Sequence, residues 1–189
     1  MGSKGMRLYL GLLHYPVYNK NRERIASAIT SFDLHDLSRL ARTYGVKRFF
    51  VITPLTDQQV LAERIVQHWT AGYGASYNPN RKEALELVAV LPSLEDCLQE
   101  IEKVEGEKTV VMATDAFKQN GHAMTYSEAT RMIGSGKPVL LLLGTAWGLD
   151  KEVFQKADYI LDPVRGLTEY NHLSVRSAGA IILDRLVGR

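Results

Sequence analysis

Two stretches in the last third of the chain combine residue types that can hold a ligand. One is Gly144-Thr145-Ala146-Trp147-Gly148-Leu149, which directly follows the apolar run from Pro138 to Leu143. Glycine lets the backbone approach a ligand closely and permits positive φ. The other is Tyr170-Asn171-His172-Leu173-Ser174-Val175-Arg176, which leads into the small-residue stretch Ser177-Ala178-Gly179-Ala180-Ile181-Ile182. A tight strand-to-helix turn would use the same glycines, and Ser174 could serve as a helix cap, so spacing alone leaves both readings open. Upstream, Asp33-Leu34-His35-Asp36 precedes Arg39 on one helical stretch. Asp33 could orient His35 or cap the helix. An arginine can clamp a phosphate through two parallel N–H bonds, but its pKa above ~12 makes it a poor base; on a helix surface it could instead pair with Asp36. His14, at a strand end before Pro16, could face the same cleft. The five histidines lack a metal-binding spacing such as His-x-x-x-His, so no metal is expected.

The elements that must position these residues alternate. Arg7 to Leu13, Lys47 to Thr53, Leu87 to Val90, Thr109 to Ala113, Val139 to Leu143 and Asp158 to Pro163 read as strands. Phe49 to Ile52 is nearly continuous in apolar residues, as in a parallel sheet buried on both faces. Between the strands, apolar residues recur at helical spacing over 34–45, 57–69, 94–104 and 125–133. Asp33 is expected to cap the first of these, Ser93 and Thr125 the later two. The stretch from Gly72 to Arg81 reads as an aromatic, polar loop. Strand and helix alternating with short connections predict an α/β fold with a parallel sheet, and ligands then sit at the carboxyl ends of the strands.

Composition narrows the field. With 189 residues, 46% hydrophobic and 23% charged, one globular domain spanning 1–189 is expected, with the first six residues flexible. The net charge of +2 permits a nucleic-acid partner without demanding one. Cys97 is the sole cysteine, which excludes a disulfide framework and a cysteine zinc site and fits a reducing cytoplasm. No apolar run approaches the ~18 residues of a membrane helix, so no membrane partner is expected. Neither a dinucleotide-binding glycine fingerprint nor a Walker A sequence is present, which disfavours a generic nucleotide-binding protein.

Three segments together resemble the α/β-knot (SPOUT) class of S-adenosylmethionine-dependent RNA methyltransferases. Asp33 to Val46 is similar to motif 1 of the ribose-methylating branch, where an Asn stands six residues before an Arg and a Gly six residues after it; Arg39 and Gly45 match, and Asp33 stands in place of the Asn. Val139 to Leu149 is similar to the strand and glycine loop of motif 2, without the acidic residue common after that loop's first glycine. Asn171 to Ile182 is similar to motif 3, Asn-x-Ser followed by Val and small residues; Ser174 and Val175 match, and His172 replaces the Asn. Six signatures occur in order: His14-Tyr15-Pro16, Phe32 to Asp36, Ala41 to Tyr44, Tyr77-Asn78-Pro79, Gly144 to Leu149 and Tyr170 to Arg176. Together they resemble a stand-alone group of RNA methyltransferases that also occurs fused to tRNA guanine-N1 methyltransferase, over about Met6 to Gly188.

The resemblance implies a mostly parallel sheet with helices on both faces and a deep C-terminal trefoil knot, an exception to the rule that connections do not thread. It implies a homodimer through the knot region. It also implies S-adenosyl-L-methionine as cofactor, held by Ala113, Thr114, Gly144, Thr145, Gly148, Leu161, Leu173 and Ser174. Trp147 either walls this pocket or packs on the neighbouring subunit. Arg39 is the implied catalytic residue, with His35 and Asp33 beside it. Arg42, Arg81, Tyr77 and His172 are candidate contacts to a tRNA or rRNA substrate. Ribose 2′-O-methylation is favoured over base methylation; the alternative is a non-catalytic cofactor-binding module that assists another RNA-modifying enzyme.

Overall fold

The computed structural model describes residues 5–189. In chain order the first half contains β1 (Leu8–Leu13), β2 (Val17–Tyr18), β3 (Arg24–Ile25), α1 (Ser31–Thr43), β4 (Phe49–Ile52), α2 (Thr56–Thr70), α3 (Tyr73–Tyr77), α4 (Pro79–Leu85) and β5 (Val88–Leu91). The second half contains α5 (Leu94–Glu105), β6 (Val110–Ala113), β7 (Ala123–Met124), α6 (Tyr126–Gly134), β8 (Val139–Gly144), α7 (Lys151–Lys156), β9 (Tyr159–Leu161) and α8 (Val175–Val187). Of the six residues expected to be flexible, the first four lie outside the described residues. Met6 packs against the core, which corrects that expectation.

Seven strands form one parallel sheet in the order β5-β4-β1-β8-β6-β9-β7. Side chains alternate across a strand, so each central strand feeds two cores. Val139, Leu141 and Leu143 of β8 join Leu34 and Leu37 of α1 and Ile182 and Leu183 of α8 on one face. Leu140 and Leu142 join Cys97 and Ile101 of α5 and Val153 of α7 on the other. Helices therefore cover both faces, which is why the strands read as continuous apolar runs. Cys97 is fully buried, and burial pushes its thiol pKa up.

Several local expectations need correction. Thr30, not Asp33, caps α1: its side chain accepts from the Asp33 N–H while Asp33 sits inside the first turn. Thr30 offers the same capping chemistry one turn earlier, and this frees the Asp33 carboxylate for a tertiary partner. Residues 72–81 are not a loop. Asn78 caps α4, accepting from the Arg81 N–H, and Pro79 occupies the first helical turn, where its missing donor costs nothing. The final helix starts at Val175, capped by Ser174. The β2–β3 hairpin and β7 were too short to carry a periodic signal.

A polar cluster marks the end of the sheet opposite the loops that follow β6 and β8. Buried Arg7 pairs with Glu105 and Glu107, and Glu105 also accepts from the Tyr9 hydroxyl and Lys47. Burial alone would push Glu105 up; these donors reverse that and hold it at about 2.

Candidate functional site

The carboxyl ends of β8, β6 and β9 open into a cleft of about 600 Å³. The loop from Gly144 to Gly148 forms one wall, Thr114 to Phe117 a second, and Asn171 to Arg176 a third. Leu143, Val164 and Ile182 supply apolar surface, and Asp33, Asp115 and Asp162 supply three carboxylates.

Local chemistry explains the shape of the glycine loop. Gly148 has φ +98°, where a side chain would be strained. A Cβ on Gly144 would lie 2.8 Å from Leu149 Cγ. Ala146 also adopts positive φ, 52°, which for a residue with a Cβ costs about 1–2 kcal/mol. The surroundings hold this conformation in place. Trp147 N donates to Tyr18 O at 3.0 Å, Tyr18 N donates to Gly148 O at 3.0 Å, and Asp150 N donates to Pro16 O at 3.1 Å. Asp150 is buried, caps α7 and accepts two bonds from Arg24 at 3.0 Å each.

Beside the loop, Ser27 Oγ lies 2.8 Å from His14 Nδ1 and 2.6 Å from Thr145 Oγ1, and Thr145 donates to Leu13 O at 3.1 Å. Burial pushes His14 down to about 4, against the opposing pull of the Asp33 carboxylate, so the ring is neutral at pH 7.

Asp33 is 6% exposed and ties α1 to α8. Its carboxylate accepts from Thr30 Oγ1 at 2.7 Å and from Arg176 at 2.6 Å, and Arg176 also reaches Asp36 at 3.3 Å. Ser174 and Arg176 line both the main cleft and an adjoining one of about 440 Å³, where Asp36, Arg39 and Thr43 of α1 face Ser177 and Ala180 of α8. Among the described residues Arg39 has no ion pair; Asp36, its alternative partner, faces Arg176 instead.

Of the sequence candidates, Asp33, Thr114, Gly144, Thr145, Trp147, Gly148, His172, Leu173 and Ser174 line the main cleft. The His172 ring stands edge-on to Tyr170 and Phe117. Ala113 and Leu161 do not line it; they are buried ends of β6 and β9, and their half-buried successors Thr114 and Asp162 take the lining positions. His35 is not at either cleft: it packs edge-on against Trp69 at 5.5 Å, and desolvation pushes its pKa down. Arg42 pairs with Glu83 on α4. Arg81 lies over the Trp69 ring at 4.4 Å, and Tyr77 is paired with Tyr73 at 6.0 Å, so these two mark a separate surface. Sequence reasoning missed Ser27, Asp115, Phe117 and Asp162 as cleft residues; Arg176 lay in a stretch it singled out but was given no role there. Asp115 and Asp162 follow the apolar ends of two strands, a signal that was readable. Ser27 sits in a segment without regular structure and gave none.

A parallel sheet with a glycine-loop cleft at its carboxyl edge is the architecture of a small-molecule-binding α/β protein. Residues 7–188 match the family model described as SAM-dependent RNA methyltransferase, and the chain belongs to that family. It is 44% identical over 184 residues to tRNA (guanine-N(1)-)-methyltransferase of Oleidesulfovibrio alaskensis, covering 97% of this chain and 43% of that protein. The chain thus spans less than half the length of that relative. An uncharacterized protein of Aquifex aeolicus is 34% identical over 183 residues, covering 96% of this chain and 89% of its own length. The fold is also that of the SpoU methyltransferase AviRb from Streptomyces viridochromogenes, solved in complex with AdoMet: TM-score 0.55, 17% identity, covering 95% of this chain and 58% of that one. Among the described residues no group of His, Cys, Asp and Glu could hold a metal ion, and no helix is long and apolar enough to cross a membrane.

Proposed function

We propose that this chain transfers a methyl group from S-adenosylmethionine to a ribose 2′-hydroxyl of tRNA or rRNA. The observation that carries the reading is the junction of the two clefts. Ser174 and Arg176 are shared between them, and the unpaired Arg39 guanidinium stands in the second.

The main cleft suits the cofactor. Its volume of about 600 Å³ falls among small-molecule pockets. Leu143, Val164 and Ile182 can face adenine, and Asp115 and Asp162 bring negative charge to a ligand that carries a sulfonium and an ammonium, Asp33 being paired with Arg176. When bound, S-adenosylmethionine supplies an electrophilic methyl carbon and a neutral thioether leaving group. A ribose hydroxyl held in line with that carbon would take the methyl group as the C–S bond broke, its proton passing to water. Arg39 clamps the neighbouring phosphate and fixes the line of attack. Tyr73 and Tyr77, both largely exposed on α3, and Arg81 on α4 extend the RNA surface by base stacking and charge. Exposed Phe32, Trp147 and Leu173 make an apolar rim that supports a homodimer, and the deep knot belongs to this reading as well.

Two observations favour other outcomes. The Oleidesulfovibrio relative is named for guanine-N1 chemistry, which favours base methylation. The chain covers only 43% of that protein, which favours a cofactor-binding module serving an enzyme elsewhere. The test is transfer from labelled S-adenosylmethionine to bulk tRNA and rRNA, followed by nucleoside analysis. A 2′-O-methylated nucleoside supports the proposal. N1-methylguanosine overturns the ribose assignment, and bound cofactor without transfer favours the module.

A further inference from the structure

The hydroxyl chain beside the glycine loop runs in one direction, and His14 sets it. Thr145 has one hydroxyl proton, and it goes to the Leu13 carbonyl, which can only accept. The 2.6 Å contact between Ser27 Oγ and Thr145 Oγ1 therefore needs the Ser27 proton; without it two lone pairs would face each other. Ser27 then has no proton left for His14, so its 2.8 Å contact with His14 Nδ1 needs an N–H on the ring. His14 is thus the Nδ1–H tautomer. Its Nε2 carries a bare lone pair and is buried without a partner, which a neutral ring tolerates and a cation would not.

Ser27 and Thr145 both line the main cleft. Each has donated its proton along the chain and accepted one bond, so each keeps only a lone pair for a ligand. We infer that His14 is a positioning residue that makes this wall of the cleft acceptor-only, so that it receives N–H or O–H groups of the bound ligand and rejects carboxylate or phosphate. Resting on the cofactor reading, this assigns the Ser27–Thr145 wall to an amino, ammonium or ribose hydroxyl group of S-adenosylmethionine, and its α-carboxylate to another part of the cleft.

The experiment joins ¹⁵N-detected histidine NMR on the wild-type protein to calorimetric titration with S-adenosylmethionine. The wild type is expected to show an Nδ1-protonated, Nε2-bare ring at neutral pH. His14→Phe keeps a ring but loses the donor, and should weaken binding at least tenfold. His14→Asn keeps an N–H near the Nδ1 position and should stay within threefold of wild type, a rescue that loss of packing would not produce. Should His14→Phe fail to fold, Thr145→Val cuts the chain with little change of volume and should weaken binding similarly. An Nε2-protonated ring overturns the inference. So does wild-type affinity in His14→Phe, or in Thr145→Val. A wild-type protein that shows the Nδ1–H signature yet binds no S-adenosylmethionine overturns the cofactor reading instead.

Discussion

Replacing Asp33 tests the α1–α8 clamp that joins the two clefts. The Asp33 side chain is 8% exposed and that of Arg176 34%, with 2.6 Å between their charged atoms. Removing one partner of a fully buried pair costs about 3–5 kcal/mol, because the other charge stays buried and unpaired. Here Arg176 reaches solvent and keeps Asp36 at 3.3 Å. A charge-assisted hydrogen bond of about 1.5–3 kcal/mol is therefore the better guide. Asp33→Ala should destabilise the protein by about 2–3 kcal/mol. Asp33→Asn still accepts from Thr30 and should cost about 1 kcal/mol, which is the charge contribution alone. The assay is urea unfolding at constant m-value, closed into a double-mutant cycle with Arg176→Met so that the loss of the Thr30 contact cancels. A coupling above about 1 kcal/mol is expected. A coupling below about 0.5 kcal/mol, the level of a screened surface pair, would refute the clamp.

Other predictions follow from the same geometry. Arg39→Ala should lower the methyl-transfer rate by more than about tenfold, the phosphate clamp being worth at least one charge-assisted bond, and leave S-adenosylmethionine affinity within twofold (~2) by calorimetry. Ala146→Gly should relieve the left-handed backbone and raise stability by about 1 kcal/mol, seen as a rise of about 2–4 °C in melting temperature, while cofactor affinity falls as the loop loosens. Acid should destabilise the protein in two stages. The unfolded chain protonates His14 near its ordinary 6.5 and the native ring only near 4, so stability falls as pH drops through that window, by at most about 3 kcal/mol. Glu105 is depressed from 4.5 to about 2, so its contribution is complete above 4.5 and lost below it. Urea midpoints measured from pH 7.5 to 3 should show both stages, and His14→Asn should remove the upper one.

The sheet was legible in the sequence because two-sided burial leaves a plain mark: Phe49 to Ile52 and Val139 to Leu143 are unbroken apolar runs, and both are strands. Helix ends were legible where a capping pair stood alone, as with Thr125 and Glu128, which form a capping box. They were misread where two candidates lay close together, as with Thr30 and Asp33. The glycine loop and Ser174 could be named because glycines and caps act locally. The links that shape the site could not. Ser27 returns to His14 after the β2–β3 hairpin, and only the pairing of β1 with β8 brings Thr145 within hydrogen-bond reach of them. Arg176 was visible as a residue, yet its link to Asp33 depends on how α8 crosses α1.

That pairing also bears on how the chain is made. The central strand β1 leaves the ribosome well before β8, and one of its edges is taken early by β4. Its other edge belongs to β8, with Leu8 beside Val139. Until that late segment emerges, a wholly apolar strand presents a row of unsatisfied amides and carbonyls, the kind of edge that recruits other chains. Nascent chains halted between β5 and β8 should therefore be the aggregation-prone species, and the ones for which a holding chaperone matters most.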